Sequence, residues 1–299
     1  MRTSLDCLSC FVGQALNVTR LIGADEELRE HILRDVLQAA SRMDYRRPPP
    51  VMGKYIHGLV REKANIFDPY AALKRRFNEM ALRVYPKLAE RVRSAEHPFD
   101  AAVRLAITGN LIDFGVASQV DEDEVLQAVD GALENPFHGD AAALERVASQ
   151  AESILFLFDN AGEIVFDRLL LDLLPLERVT GAVKSGPIIN DATMEDARFC
   201  GITEMIPVME TGSNAPGAVL EDCSGEFRNS LREADLVLAK GQGNYEALSH
   251  LDRNIFFLLK AKCSVVAEDL GCPVGTMMLT RPPDRESPAS ASKAFSPAG

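Results

Sequence analysis

The sequence lacks both a long apolar segment and a dense run of basic residues. No stretch approaches the roughly 18 consecutive apolar residues of a membrane span, and Asp6 and Gln14 interrupt the N-terminal stretch that a signal peptide would keep apolar. Lys and Arg total 32 against 44 Asp and Glu, a formal net charge of −12. Nucleic-acid binding requires a basic face. We therefore expect no nucleic-acid partner, no membrane partner and a cytoplasmic location.

Cysteine and histidine are sparse, and two common nucleotide-binding motifs are absent. Six cysteines in 299 residues do not make a disulfide framework, and the five histidines are scattered. Cys7 and Cys10 form one C-x-x-C pair, for which buried thiols are a simpler interpretation than a second metal site. No G-x-G-x-x-G and no G-x-x-x-x-G-K-[ST] occurs. Dinucleotide-binding and P-loop sites therefore lose their usual sequence support.

The chain divides into two parts with different sequence patterns. Helical periodicity runs through 25–43 and 68–92, with a proline-rich stretch at 45–57 predicted as a loop between them. After residue 150, short β-rich segments alternate with helical ones, which is typical of a parallel sheet covered on both faces. The predicted strands are 154–158, 179–183, 202–208, 236–239, 255–259 and 264–267, and helices are predicted at 163–174, 193–199 and 226–233.

We therefore predict an α/β fold, in which a Rossmann-like three-layer α/β/α sheet carries a helical N-terminal domain. The predicted parts are a helical N-terminal region (1–100), an α/β/α core (101–280) and a tail rich in Pro, Ser and Ala (281–299). Such a composition favours disorder in the tail.

Polar side chains follow four of the predicted strands at the point where each strand ends. Because the carboxyl ends of parallel strands meet at one edge of a sheet, we expect these side chains to converge. The sets are Asp159, Asn160 and Glu163 after the first strand, Lys184 and Asp191 after the second, Gly212 and Ser213 after the third, and Lys240 and Asn244 after the fourth.

The chemistry of these sets favours a phosphate-ester site. Aspartate and asparagine oxygens are hard ligands that Mg²⁺ and Mn²⁺ accept. Lysine is a point-charge partner for phosphate, and glycine-rich turns expose backbone N–H groups to anions. Each set alone has a simpler explanation: Asp159 as a helix cap, Asp191 as a helix start, Lys240 as a surface residue. Four sets at one edge indicate a site that combines a divalent cation with phosphate.

Five ordered segments resemble the DUF89 family, also called damage-control phosphatases or ARMT1-like metal-binding proteins. The resemblance covers nearly the whole chain except the proline-rich tail, and the N-terminal DCLSC is similar to the stand-alone prokaryotic branch of the family. The segments are GNLIDFG (109–115), DNAGEIVFDRLLLDLL (159–174), KSGPIINDATMEDA (184–197), GSNAPG (212–217) and ADLVLAKGQGNYEAL (234–248).

The resemblance implies a metal-dependent hydrolase. By it, one divalent cation (Mg²⁺, Mn²⁺, Co²⁺ or Ni²⁺) is held by Asp159, Asn160 and Asp191, and Lys240 contacts phosphate. The implied activity is the hydrolysis of small phosphorylated metabolites, often damaged cofactors or side products. Where the family commonly has an acid in K-G-D-x-N-Y, this chain has Gln242, so no acid role is expected there.

The polar residues at the strand ends and the family resemblance together predict the remaining roles. Asp159, Lys240 and Glu163 are the predicted catalytic residues. Glu163 would orient a water molecule; the alternative is that it is a first-turn glutamate favoured only by the helix dipole. Water is favoured over the Asp159 carboxylate as the attacking group, because residue 161 is alanine where acyl-phosphate phosphatases have a second aspartate. The predicted substrate-binding residues are Asn110, Asp113, Lys184, Gly212, Ser213 and Asn244.

Two other functions compete with a phosphatase. An adenosylmethionine-dependent methyltransferase would hold its cofactor at the same sheet edge, and a methyltransferase activity has been attributed to a relative in the family; the DNAGE turn, however, is poor in glycine for that purpose. A non-catalytic protein that binds phosphometabolites would keep the ligand loops without turnover. A small phosphorylated metabolite is the expected partner in the phosphatase and binding readings, and the oligomeric state is not predicted.

Overall fold

The computed structural model describes residues 1–109, 122–134 and 137–282. Two predicted substrate-binding residues, Asn110 and Asp113, and most of the predicted tail lie outside the described residues. In the part of the chain that is described, no helix is both long and apolar enough to cross a membrane.

A six-stranded sheet forms the centre of the described structure. Its strands are β1 (Ile154–Leu157), β2 (Val179–Val183), β3 (Val208–Glu210), β4 (Leu236–Lys240), β5 (Ile255–Lys260) and β6 (Met277–Thr280). They lie in the order β3-β2-β1-β4-β5-β6, with the first five parallel and β6 antiparallel to β5. The chain moves outward from β1 to β3 and returns to β4 on the other side of β1. At such a reversal the loops diverge and leave a crevice at the carboxyl ends of the strands.

Three N-terminal helices, α1 (Cys7–Leu21), α2 (Glu26–Arg42) and α3 (Pro50–Ala64), pack around a core of their own. The α2 helix begins at a true cap, since the Asp25 carboxylate accepts a hydrogen bond from Leu28 N at 2.8 Å. Phe11, Ile32 and Ile56 are among the side chains that fill this core. This three-helix cluster is separate from the core of the sheet.

The next helices are α4 (Ala71–Ser94), α5 (Pro98–Thr108), α6 (Glu122–Glu134) and α7 (Ala141–Gln150). They pack on the sheet instead. Val84 and Leu88 of α4 and Leu105 of α5 share one buried cluster with Phe156 of β1. The helical region predicted over 1–100 therefore contains two parts with different packing partners.

Five further helices follow the strands: α8 (Glu163–Leu171), α9 (Met194–Phe199), α10 (Gly225–Glu233), α11 (Gly241–Leu248) and α12 (Ser264–Leu270). Phe156 points into the cluster with α4 to α9, whereas its neighbours Leu155 and Leu157 pack with Phe227 of α10 and Leu248 of α11. Successive strand residues point to opposite faces, so a sheet with helices on both faces needs strands that are apolar throughout. The predicted α/β fold with helices flanking the sheet is confirmed.

Four predicted strands, at 154–158, 179–183, 236–239 and 255–259, lie within one residue of the observed ones, and two predictions are wrong. Residues 264–267 belong to helix α12, which starts after the extended Cys263 and ends at Gly271 with a left-handed φ of 66°. Residues 202–204 form a 3₁₀ turn, and β3 starts only at Val208, where the chain pairs with Gly181 of β2. In both segments β-branched residues favoured a strand. The backbone instead forms helical turns, next to a left-handed glycine at Gly271 in one segment and at Gly201 in the other.

The predicted loop at 45–57 is also partly wrong. Helix α3 begins at Pro50, because a proline in the first turn lacks only an N–H group that would have no helical partner there. Strand β6, which the sequence did not predict, adds an antiparallel edge beside β5.

Candidate functional site

The turn after β1 and the turn after β2 lie side by side at the carboxyl edge of the sheet. Asn160 and Asp191 form an isolated antiparallel bridge. Ala161 N donates to Asn190 O at 2.8 Å, and Ala192 N donates to Asp159 O at 2.7 Å. These backbone bonds bring the three predicted metal ligands, Asp159, Asn160 and Asp191, into one place.

Asp191 is a buried carboxylate with an unsatisfied oxygen. Its residue is 3% exposed, and within the described residues no hydrogen-bond partner is present for Oδ2. The nearest cation is the buried Lys184, whose Nζ lies 3.6 Å from Oδ2. Burial raises the pKa of Asp191 well above its ordinary value; Lys184 opposes that rise and Asp159 adds to it. The atom is placed to accept a further positive group.

Asp159 is packed against the start of helix α11. Gly241 has a φ of 80°, and a Cβ built there would overlap the Asp159 carboxylate. A glycine is therefore required on both steric and conformational grounds. Burial and the negative charge of Glu163 raise the pKa of Asp159, against the opposing charges of Lys184, Lys262 and Lys240.

The side-chain amide of Asn160 is oriented by two carboxylates. Its Nδ2 donates to Asp159 Oδ2 at 2.8 Å and to Glu163 Oε2 at 2.8 Å. Because both amide protons are used in this way, Oδ1 is the atom that can face a cation. Glu163 is the first residue of α8 and is fully buried, so the structure places it as a partner of Asn160 rather than at a surface.

Lys240 lies at the end of β4 and is 0% exposed. Its Nζ donates to Glu163 Oε1 at 2.5 Å, to Asp167 Oδ1 at 2.5 Å and to Ala106 O at 2.8 Å. Burial disfavours the charged form, but the carboxylates of Asp167 and Glu163 outweigh it and raise the pKa of Lys240. Each ammonium proton thus has an acceptor, and contact with a phosphate, as predicted for Lys240, requires one acceptor to be exchanged.

Asp167 was not predicted from the sequence. It is fully buried inside α8, its pKa is raised chiefly by burial, and Oδ2 has no hydrogen-bond partner among the described residues. The available signal was an acid within the largely apolar stretch EIVFDRLLLDLL. A charge in such a helix needs a buried partner, and here the partner is Lys240.

The glycine-rich loop after β3 is fixed by its own polar groups. Gly212 N donates to Ser185 Oγ at 2.6 Å, and Ser213 Oγ accepts from Ala215 N at 3.1 Å. Asn244 Oδ1 accepts from Ala218 N at 3.0 Å, and its Nδ2 donates to Lys240 O at 2.8 Å. The predicted substrate-binding residues Gly212, Ser213 and Asn244 therefore connect this loop to β2 and α11, and their contact with a substrate stays a prediction.

Lys262 is a second residue that the sequence did not single out. It follows β5 at the same edge of the sheet, its side chain is exposed, and its backbone N donates to Gln242 Oε1 at 3.0 Å. Its positive charge opposes the rise in the pKa of Asp159 that burial and Glu163 cause. The signal that could have found it was its position after the fifth predicted strand.

Among the described residues, no group of three or more His, Cys, Asp and Glu side chains is arranged to hold a metal ion. The predicted set differs from such a group in kind, since one of its three members is the amide of Asn160. Whether an ion fits is therefore decided by the unsatisfied Asp191 oxygen and the oriented Asn160 amide, which are both features of a cation site.

Comparisons with known proteins find relatives that align over most of the chain. A damage-control phosphatase from Archaeoglobus fulgidus is 36% identical over 285 residues, covering 93% of this chain and 98% of that protein. A damage-control phosphatase from Pyrococcus horikoshii is 34% identical over 289 residues, covering 94% and 98%. An uncharacterized protein from Methanocaldococcus jannaschii is 33% identical over 292 residues, covering 92% and 94%.

The fold is similar to that of a solved structure as well. The crystal structure of a DUF89 family protein from Pyrococcus horikoshii aligns with a TM-score of 0.85 at 33% identity, covering 94% of this chain and 99% of that chain. The family model described as the damage-control phosphatase ARMT1-like domain matches residues 3–278. Because that model spans most of the chain and these relatives share about one third of its residues, the chain belongs to the damage-control phosphatase ARMT1-like, or DUF89, family.

Proposed function

We propose that this protein is a divalent-metal-dependent phosphatase that hydrolyses small phosphorylated metabolites. Two relatives with about one third of their residues identical carry the name damage-control phosphatase. The observation that carries the proposal is the convergence of Asp159, Asn160 and Asp191 through the bridge between their turns. The predicted cytoplasmic location is kept with this proposal.

Asp159, Asn160 and Asp191 would hold one cation, with Mg²⁺, Mn²⁺, Co²⁺ and Ni²⁺ as candidates. The donor set fits such an ion: two buried carboxylates have raised pKa values, and Asp191 Oδ2 has no hydrogen-bond partner among the described residues. When bound, a hard divalent ion supplies positive charge at a phosphoryl oxygen and lowers the pKa of a water ligand. The anionic donors would in turn be stabilised by that charge.

The chain itself supplies the rest of the electrostatic environment. Lys184 lies beside Asp191, and the exposed Lys262 follows β5 at the same edge of the sheet, so in this proposal both would approach a bound phosphate. Lys240 would join them only by releasing one of its present acceptors. Preorganised positive groups of this kind stabilise the charge that develops on a transferring phosphoryl group.

Glu163 acts on the site through its neighbours in this proposal. Its two oxygens accept from Asn160 Nδ2 and from Lys240 Nζ, so it fixes the amide of one and the ammonium group of the other. We keep water as the attacking group, because Asp159 is held between Asn160 and Gly241 and residue 161 is alanine.

Phosphate release from a panel of phosphate esters tests the proposal. The purified protein is incubated with each ester alone, with each of the four cations, and with cation plus a chelator. We expect release that depends on a cation and is lost with chelator. Adenosylmethionine binding without any phosphate release would instead favour the methyltransferase, and ester binding without turnover would favour a binding protein.

An Asp191→Asn variant links that activity to the proposed site. Since it removes an anionic donor, we expect kcat/KM to fall at least about a hundredfold, in the range seen when metal-site groups are lost. Asp172→Asn makes the same change at an exposed residue that caps α8 and should retain wild-type turnover. Wild-type turnover in the Asp191 variant would reject the site.

A further inference from the structure

The side chain of Asn78, on helix α4, contacts one ligand-bearing turn directly and the other through Asp196. Asn78 is 1% exposed. Its Oδ1 accepts from Gly162 N at 2.6 Å, in the turn that carries Asp159 and Asn160. Its Nδ2 donates to Asp196 Oδ1 at 2.9 Å, on the side of the turn after β2. A single amide therefore bridges from one turn towards the other.

Asp196 carries the bridge to the second turn. Its Oδ2 accepts from Thr193 N at 2.9 Å and from Thr193 Oγ1 at 2.8 Å. Thr193 is the cap of α9 and lies two residues after Asp191, and its backbone also forms an isolated bridge with Lys184. Asp196 thereby helps to hold the segment that follows Asp191.

A buried lysine balances the charge of this network. Lys74 Nζ lies 2.9 Å from Asp196 Oδ2 and 3.4 Å from Asp68 Oδ2. All three residues are largely buried, so the ion pairs are poorly screened by solvent. Lys74 also adds positive charge on the side of Asp191.

The amide at position 78 meets two opposite demands. Gly162 N–H needs an acceptor, and the Asp196 carboxylate needs a donor. An aliphatic residue would leave the buried Gly162 N–H without a partner, and a carboxylate would face Asp196 with a like charge. The fit is close on this side, because a Cβ at Gly162 would lie 3.0 Å from Phe77 Cβ.

We propose that Asn78 is a positioning residue, whose amide reinforces the backbone hydrogen bonds between the 159–163 and 190–193 turns and thereby raises the affinity of the protein for a divalent cation. This inference rests on the proposed function, since it requires that Asp159, Asn160 and Asp191 hold the cation. Asn78 touches none of these three side chains in the hydrogen bonds described. It acts through the backbone of one turn and through Asp196 for the other.

Isothermal titration of the full-length protein with MnCl₂, without substrate, tests the role of Asn78. We expect Asn78→Ala to raise the Kd for Mn²⁺ by about 10- to 100-fold, as for other groups that orient metal ligands. Val84→Ala is the matched control, because it removes buried volume from the same helix without touching either turn. It should lower the Tm and leave the Kd within about twofold of wild type.

A reversal of the hydrogen bond gives a second, independent test. Asn78→Asp should weaken Mn²⁺ binding, because two carboxylates then face each other. Adding Asp196→Asn exchanges donor and acceptor, and moves the negative charge to position 78, one helical turn from Lys74. We expect this double variant to recover most of the affinity. If Asn78→Ala does not fold, the single and double variants still decide the question.

Each outcome has a distinct meaning. A wild-type Kd in Asn78→Ala, or no recovery in the double variant, overturns the positioning role while the proposed function stands. An equal loss of affinity in Val84→Ala also overturns it, since affinity then follows overall stability. A wild-type protein that binds none of the four cations overturns the proposed function itself, and the positioning role with it.

Discussion

Buried charge is unevenly balanced around the candidate site. Lys240 holds two carboxylates, and Lys184 faces a third, yet one oxygen of Asp167 and one of Asp191 lack hydrogen-bond partners among the described residues. Removing an ionised carboxylate from water costs several kcal/mol unless a partner compensates. An added cation would restore the balance at Asp191, whereas Asp167 is already committed to Lys240.

Gly241 is expected to be intolerant of substitution. Gly241→Ala places a methyl group on the Asp159 carboxylate at a left-handed φ, which alone costs an L-residue about 1–2 kcal/mol. We expect a lower Tm and at least about tenfold weaker Mn²⁺ binding, because Asp159 must move. Thermal unfolding and MnCl₂ titration measure the two effects.

Gly13→Ala provides the comparison for that substitution. Gly13 lies inside α1, and a Cβ there meets nothing within 4 Å. Alanine should stabilise the helix by about 0.5–1 kcal/mol and leave Mn²⁺ binding unchanged. If Gly241→Ala behaves like Gly13→Ala, the packing of Asp159 against α11 has no role in binding.

His57 predicts a pH dependence of stability outside the candidate site. It is buried in α3, both ring nitrogens lack partners among the described residues, and burial, with help from Arg61, lowers its pKa from 6.5 to about 4. The unfolded chain therefore takes up a proton at a higher pH than the folded protein. The free energy of unfolding is therefore unaffected by protonation of His57 above pH 6.5. It decreases as the pH falls towards 4, by about 3 kcal/mol in total.

His57→Leu should remove that loss. Urea unfolding at pH 7.0, 5.5 and 4.5 should show a variant that is close to wild type at neutral pH and gains on it by about 2 kcal/mol at pH 4.5. His97→Gln, at an exposed histidine, should follow the wild-type profile. Parallel pH profiles for wild type and His57→Leu would show that His57 is not the group responsible.

At the scale of elements, the sequence patterns gave wrong predictions where the residues at the ends of a helix determine its position. The segment from Ser264 reads as a strand by its valines, but the left-handed Gly271 closes a helix there. The proline run before Val51 reads as a loop, yet Pro50 starts α3. The four interior strands, each with a strand on both sides, were predicted well. Burial on both faces of the sheet requires a continuous apolar run, and such a run is visible in the sequence.

The cap of α2 allows one element to be tested alone. Asp25→Ala removes the acceptor of Leu28 N–H and should cost about 1 kcal/mol in urea unfolding. Asp25→Asn keeps a side-chain oxygen and should cost much less. Since α2 belongs to the separate N-terminal core, neither variant should change Mn²⁺ affinity. A change in affinity would mean that the three-helix cluster is coupled to the sheet edge.

At the scale of the molecule, the sequence predicted which residues lie at the edge of the sheet, but not the hydrogen bonds and ion pairs that connect them. Four parallel strands place their following residues at one edge, so the convergence of Asp159 and Asp191 follows from topology. Asp167, one of the two carboxylate partners of Lys240, lies 73 positions away on helix α8, where most residues are apolar. Asn78 is equally hidden, since a buried amide in α4 carries no local signal. Such long-range polar pairs depend on packing that no single stretch encodes.

Metal binding should appear as stability of the whole chain. A ligand that binds only the folded state adds RT ln(1 + [L]/Kd), about 2.7 kcal/mol at a hundredfold excess over Kd. We expect the Tm of the wild-type protein to rise with MnCl₂ concentration, by a few degrees at that excess, and to fall back with chelator. Asp191→Asn should unfold at a Tm that MnCl₂ does not change, because an anionic donor is missing. Differential scanning calorimetry over a MnCl₂ series measures this, and a variant that is stabilised as much as wild type would place the cation away from Asp191.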